Sequence, residues 1–339
     1  MATPIRAALL GTGHAHAAGK LAVMQASDDY EVVGVAEPDR AWRALREPEP
    51  AYAGVRWIDA SDLLGDPSVQ LIAVESDVPP NLALARQAIE AGKHIHLDKP
   101  PGISLPELQS ILADANRRGL YVQMGYMFRY NAGFELVFQA VREGWLGDVY
   151  YLHASMCSGI PFQPRGESAA EAPPSGRAAL NFHPGGMMLE LGCHIIDRVV
   201  ELLGRPDKVT PHLRHDGEYA DTLVDNAVAI FEYERALAVV ETSALEVQHS
   251  PRRQFEVVGT KGSVVLQPLE PPAIRLCLQE PQGDYQAGWQ TVDVPNIPRY
   301  KRDLAKLARV IRGEEPIDYT TDHDLMAQET VLRACGTPP

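Results

Sequence analysis

The stretch Ile95-His96-Leu97-Asp98-Lys99-Pro100 places an acid and a lysine directly behind a short apolar run, with a proline fixing the exit. Most lysines are solvated surface charges, so Lys99 alone says little. Upstream, however, Leu9-Leu10-Gly11-Thr12-Gly13-His14-Ala15-His16 reads as a strand, a glycine turn and the start of a helix. The first glycine permits a tight turn and the second lets a pyrophosphate approach the backbone. The helix N-terminus then offers free N–H groups and a favourable dipole. In sheets wound this way, ligands bind outside the carboxyl ends of the strands. A lysine at the end of a later strand can therefore reach a dinucleotide bound there and whatever that dinucleotide oxidises.

Gly11-x-Gly13-x-x-His16 departs from the GxGxxG fingerprint at its third position, which serves close helix–strand packing more than binding. Glu37 closes the second apparent strand, 24 residues after Gly13. An acid there accepts hydrogen bonds from ribose hydroxyls and repels a 2′-phosphate, which favours NAD over NADP, although nearby Arg40 softens the choice. The plain alternatives are a glycine turn without a ligand and an exposed turn acid. Further on, Glu190, His194, Asp197 and Glu201 recur at helical spacing and so share one face. Periodicity alone favours a solvated face there. The other possibility is proton transfer by a histidine that a carboxylate one turn away orients.

Positioning these groups requires strands and helices in alternation. The first third supplies apparent strands at Ile5–Leu10, Glu31–Ala36, Val69–Val74, His94–Leu97 and Leu120–Met124, with helices between them. That pattern predicts parallel βαβ units, a doubly wound Rossmann sheet over residues 1–125. From residue 126 onward the pattern changes. A helix at Ala132–Arg142, a strand at Val149–Met156 and a helix at Gly186–Leu203 precede short strands between 227 and 278, which predicts an α+β domain on an open, mainly antiparallel sheet. Two helices, Tyr300–Arg312 and Asp322–Ala334, close this second domain, 126–339. Ser158–Pro184, rich in Pro, Gly, Ser and Ala, is expected to be a substrate lid.

The 339 residues suit about two domains, and 45% hydrophobic with 22% charged residues is ordinary for a globular chain. A net charge of −14 argues against a nucleic-acid partner. Cys157, Cys193, Cys277 and Cys335 are scattered without zinc-like spacing, so no metal and a reduced, cytoplasmic setting are expected. The apolar run Ile5–Leu10 is too short for a signal peptide core, and no run reaches the roughly 18 to 20 apolar residues of a membrane span.

The assembled motifs resemble those of the glucose–fructose oxidoreductase / inositol dehydrogenase / MocA (Gfo/Idh/MocA) family along nearly the whole chain. The resemblance rests on the GxG turn, Ala36-Glu37-Pro38-Asp39, Ala88 to Ile95 leading into Asp98-Lys99-Pro100, and Gly125-Tyr126-Met127-Phe128-Arg129-Tyr130. It continues through Gly185-Gly186 to His194-Ile195-Ile196-Asp197 and Val258-Gly259-Thr260-Lys261-Gly262-Ser263. It implies an NAD(P)-dependent oxidoreductase acting on a secondary alcohol or ketone of a sugar or polyol, and a homodimer or homotetramer built on the C-terminal sheet. By the same resemblance Lys99 and His194 handle protons and Glu190 orients or charges them. The cofactor set is Gly11, Thr12, Gly13, His14, Ala15, His16, Glu37 and Arg40, with Ser76, Asn81, Asp98 and Lys99 toward the nicotinamide. Arg129, His183 and Asp197 face the substrate. The chain departs from the family at Asp98 for Glu, Glu190 for Asp, Asn81 for His, and in the charged loop Glu75-Ser76-Asp77. Two other readings use the same motifs: elimination or glycoside cleavage with a recycled, bound NAD, and a non-catalytic cofactor sensor. Retention of both proton-handling groups speaks against the sensor.

Overall fold

The computed structural model describes residues 3–159 and 176–338. In the first unit, β1 (Ile5–Leu10), β2 (Tyr30–Ala36), β3 (Leu71–Val74), β4 (His94–Leu97) and β5 (Val122–Met124) form a parallel sheet in the order β2-β1-β3-β4-β5. Most of β1 and all of β3 are buried, as strands covered on both faces must be, which is why they read as apolar runs. Helices α1 (Ala17–Gln25), α2 (Arg40–Arg46), α3 (Ala60–Gly65), α4 (Val78–Glu90) and α5 (Leu105–Arg117) connect them. The Asp39 carboxylate caps α2 at Ala41 N and Trp42 N, and Ser104 caps α5 at Glu107 N. From β1 the chain passes to β2 on one side and later to β3 on the other. The crevice for a ligand therefore opens between the ends of β1 and β3.

The second unit carries α6 (Ala132–Arg142), β6 (Val149–Ser155), α7 (Gly176–Leu180) and α8 (Cys193–Leu203). Its strands continue with β7 (Lys208–Arg214), β8 (Asn226–Glu232), β9 (Leu237–Ser243), β10 (Gln254–Gly259), β11 (Gly262–Leu266), β12 (Ile274–Leu278) and β13 (Gly288–Val292). These form one sheet in the order β13-β12-β11-β10-β6-β9-β8-β7, antiparallel except between β6 and β9. Buried and half-exposed residues alternate along β8 and β9, the mark of a sheet with one covered face. Strands β7 and β13 carry no such alternation, and neither was legible as a strand. They are the two edges, where Pro211 is tolerated and Trp289 stands in solvent.

The expected division at residue 126 needs one correction. Tyr126 ends the first run of unit one and Met127 opens unit two, but Arg299–Leu325 folds back into unit one. Within it α9 (Lys301–Ile311) is tied down by Tyr30 Oη donating to Leu304 O and by Gln123 Nε2 donating to Asp303 O at 3.0 Å. The last helix, α10 (Thr321–Ala334), begins in unit one and ends in unit two. No helix among the described residues is long and apolar enough to cross a membrane.

Burial raises the Asp303 carboxyl to about 6. An acid whose folded pKa is raised is most stable below its unfolded value and loses stability as pH rises through the folded one. From about pH 4 to above pH 6, ionisation of Asp303 should cost at most about 3 kcal/mol. Asp303→Asn should therefore raise Tm at pH 8 and leave it nearly unchanged at pH 4. Thermal melts at both pH values check this, and a pH-independent difference would contradict it.

Candidate functional site

The crevice between β1 and β3 is lined by the glycine turn. Gly11 has φ +85°, and a Cβ on it would lie 2.7 Å from Ser76 N, so side chains are excluded twice over. A Cβ on Gly13 would lie 2.7 Å from Asp77 N and 3.0 Å from Trp42 Nε1. Gly13, Ala15 and His16 reach the surface of the loop, while Thr12 and His14 are buried. Thr12 donates to Glu37 Oε2 from its N–H (2.5 Å) and its hydroxyl (2.7 Å), and Asp39 N donates to Glu37 Oε1 at 2.9 Å. Glu37 thus braces the loop as well as ending β2. Each of its oxygens keeps acceptor capacity for a ribose hydroxyl. Burial raises the Glu37 carboxyl above the usual range, and the hydrogen bonds from Asp39 and Thr12 oppose it. Arg40 is exposed at the start of α2.

This arrangement fits a dinucleotide: a strand-end glycine turn into which no Cβ fits, a helix N-terminus, and an acid on the neighbouring strand. It offers fewer free amides than a GxGxxG loop, because His14 N donates to Glu75 O.

Behind the loop lies a buried polar knot that the sequence did not announce. Asp98, expected near the cofactor, is fully enclosed and held by protein groups. Its carboxylate takes His14 Nδ1 at 2.5 Å, Lys20 Nζ at 3.1 Å, His16 Nδ1 at 3.2 Å and the Lys99 amide at 2.8 Å. Burial alone would raise its pKa, but His14, Lys20 and His16 hold it well below the usual range. Lys20 also donates to Glu75 Oε1 at 2.9 Å. Burial pushes the Glu75 carboxyl well above the usual range, against the pull of Lys20. His16 is lowered to about 3, by burial first and against the pull of Asp98. It is therefore a neutral imidazole whose Nδ1 must carry the proton shared with the Asp98 carboxylate. Asn81 completes the support, with Nδ2 donating to Asp98 O at 3.1 Å and Oδ1 accepting from Ser76 Oγ at 3.0 Å. Lys99, buried at 1% exposure, extends from a turn held on both sides. His14, His16 and Asp98 bring donor atoms within 4.8 Å of one another, a spacing open to a metal ion. The Lys20 ammonium already supplies the cation that the carboxylate needs.

In the second unit the chain enters α8 through a π turn, Met188–Gly192. A π turn advances by i→i+5, so Glu190 drops out of phase with the α-helical residues after it. The expected common face is therefore split. Glu190 is half-exposed, whereas His194 and Asp197 are buried, which rules out a solvated face for those two. His194 lies edge-on to Phe128, ring centroids 5.7 Å apart. The glycines of this motif are close-approach positions: a Cβ on Gly185 would lie 2.4 Å from Cys335 Sγ, and one on Gly186 2.4 Å from Val224 O.

Arg129 and Asp197, both expected toward the substrate, are instead buried against each other, with Arg129 Nη2 2.7 Å from Asp197 Oδ1. Arg198 shares Asp197 and reaches Glu201, so the pair sits in a buried charged network. His183 is buried in the turn before Gly185, whose N–H it accepts at 2.9 Å, and burial lowers its pKa. Of the expected lid, residues 160–175 lie outside the described residues. Its C-terminal part contains α7, where Arg177 is clasped by Asp221 and Asp225. The structure thus gathers the predicted cofactor residues and Lys99 in unit one, and Glu190, His194, Arg129 and Asp197 in unit two.

Comparison with known proteins agrees with this layout. A model of the oxidoreductase family with an NAD-binding Rossmann fold matches residues 5–126, and a GFO/IDH/MocA C-terminal domain matches 134–265. The chain is 26% identical over 283 residues to the uncharacterized oxidoreductase YhhX of Escherichia coli K12, covering 83% of this chain and 77% of that one. It is 25% identical over 241 residues to human trans-1,2-dihydrobenzene-1,2-diol dehydrogenase, covering 70% and 66%. Its fold matches the solved structure of UDP-N-acetylglucosamine 3-dehydrogenase GnnA from Acidithiobacillus ferrooxidans with a TM-score of 0.76 at 17% identity, over 99% and 98% of the two chains.

Proposed function

The chain belongs to the Gfo/Idh/MocA oxidoreductase family, with an NAD-binding Rossmann domain, and on that premise we propose that it is an NAD-dependent dehydrogenase or reductase. Its substrate is a secondary alcohol, or the matching ketone, of a sugar, polyol or related ring diol. The observation that carries this reading is Lys99, an enclosed amine on a braced turn at the end of β4, beside a crevice shaped for a dinucleotide. The diol dehydrogenase among its sequence relatives supports a secondary alcohol as the reacting group.

The bound nicotinamide supplies the hydride acceptor, chemistry no side chain can provide. The glycine turn seats the pyrophosphate, and Glu37 meets the adenosine ribose. Lys99 in its amine form takes the hydroxyl proton, and in its ammonium form returns it to the ketone in the reverse direction. His194 is the second proton-handling group, with Glu190 charging it. The burial of Lys99 and His194 keeps water from competing for the protons they hold. We further propose a homodimer or homotetramer on the open face of the second sheet, where Tyr151, Ile230 and Val239 are only half-covered.

Because Glu37 should meet the ribose hydroxyls, NAD(H) should bind more tightly than NADP(H). Glu37→Ala should weaken NAD(H) more than NADP(H), narrowing the preference while loosening the Thr12 turn for both. Calorimetric titration with each cofactor checks this. A wild-type preference for NADP(H) would refute the assignment of Glu37.

A further inference from the structure

The third position of the fingerprint, where glycine usually lets helix and strand close together, holds His16. Two other glycines make room for the groups around its ring. A Cβ on Gly125 would lie 2.7 Å from Asp98 Oδ1 and 2.9 Å from Lys20 Nζ, and one on Gly19 would lie 2.9 Å from the Tyr300 ring. Tyr300 packs on His16 with centroids 5.4 Å apart, and among the described residues it is the one non-glycine at positive φ, +66°. Such backbone costs about 1–3 kcal/mol and persists only where the surroundings enforce it. The imidazole, the strained tyrosine and the buried Lys20 therefore form one built support for the Asp98 carboxylate. That carboxylate holds the Lys99 amide at 2.8 Å through Oδ1, the oxygen His16 Nδ1 also approaches at 3.3 Å.

We propose that His16 is a positioning residue for Lys99: acting through Asp98, it fixes the lysine turn to the dinucleotide loop. This rests on Lys99 being the proton-handling group of the proposed reaction. A ring that only packed against Tyr300 would be replaced as poorly by asparagine as by glycine. A donor to Asp98 would be replaced far better by asparagine. Asparagine separates the two, because its Nδ2–H falls close to where the histidine Nδ1–H lies.

The test compares wild type, His16→Gly and His16→Asn in the full chain. Hydrogen–deuterium exchange of peptides spanning residues 94–103 is read first without cofactor, then NAD affinity by calorimetry, then turnover with whichever sugar or polyol the wild type oxidises. A lost hydrogen bond to a charged acceptor corresponds to roughly tenfold or more. His16→Gly should speed exchange at the lysine turn and lower kcat by about that factor, with NAD affinity changed far less, and His16→Asn should restore much of both. Unchanged exchange in His16→Gly would overturn the proposal, as would a loss confined to NAD affinity, which would make His16 a direct cofactor contact. Wild type that binds no NAD, or oxidises nothing, refutes the proposed function instead. The cofactor-free exchange still decides whether His16 holds the turn.

Discussion

Lys99→Met should reduce turnover by about 10²- to 10⁴-fold, the range that general acid–base catalysis typically contributes. Methionine keeps the length and the apolar stem of lysine, so the enclosed site at the end of β4 remains filled. The loss should fall on kcat, because the glycine turn and Glu37 carry the cofactor without the lysine amine. His194→Ala should act in the same direction and Glu190→Gln more weakly, since Glu190 is half-exposed and works through charge. Steady-state kinetics on folded variants checks all three. Near-wild-type kcat in His194→Ala would withdraw that residue from the chemistry and leave Lys99 as the supported group.

Lys20→Met should be strongly destabilising. Lys20 is fully enclosed, 2.9 Å from Glu75 and 3.1 Å from Asp98, and burial would lower its pKa had these two carboxylates not raised it. Removing one partner of a buried charged set typically costs about 3–5 kcal/mol, because the remaining charge stays buried without compensation. Asp98, held as an anion by its neighbours, keeps its charge without that cation. The expected result in urea denaturation is a lower midpoint at unchanged m-value. Lys20→Met combined with Glu75→Gln should recover part of the loss, since it removes one of the stranded acids. A single variant as stable as wild type would show that the knot is not held by this cation.

The parallel sheet was legible because strands buried on both faces read as apolar runs, and Gly11 and Lys99 could be placed at strand ends from that alone. The edges β7 and β13 were not, because an edge strand can be polar and half-exposed throughout. Nor was the return of Arg299–Leu325 to the first unit, since amphipathic helices carry no mark of the sheet they cover. Lys20 escaped because a helical lysine reads as solvated. Its position gave one signal: with Ala17, Leu21 and Met24 it lies on the buried stripe of α1, where a cation needs an acid waiting for it. The pairing of Arg129 with Asp197 was not legible either, because nothing local marks ions that meet across two elements. The π turn before α8 likewise left no trace in residue spacing.

The proposed reaction passes hydride between a secondary carbinol carbon and the nicotinamide. The most direct measurement supplies NAD and a panel of sugars, polyols and ring diols deuterated at their carbinol carbons, with mass spectrometry of the cofactor. Wild type should form deuterated NADH from at least one member, and Lys99→Met should bind NAD but form it about 10²-fold more slowly or worse. NAD that binds tightly yet takes up no deuterium from any substrate, or a Lys99→Met variant that forms labelled NADH at the wild-type rate, would contradict it.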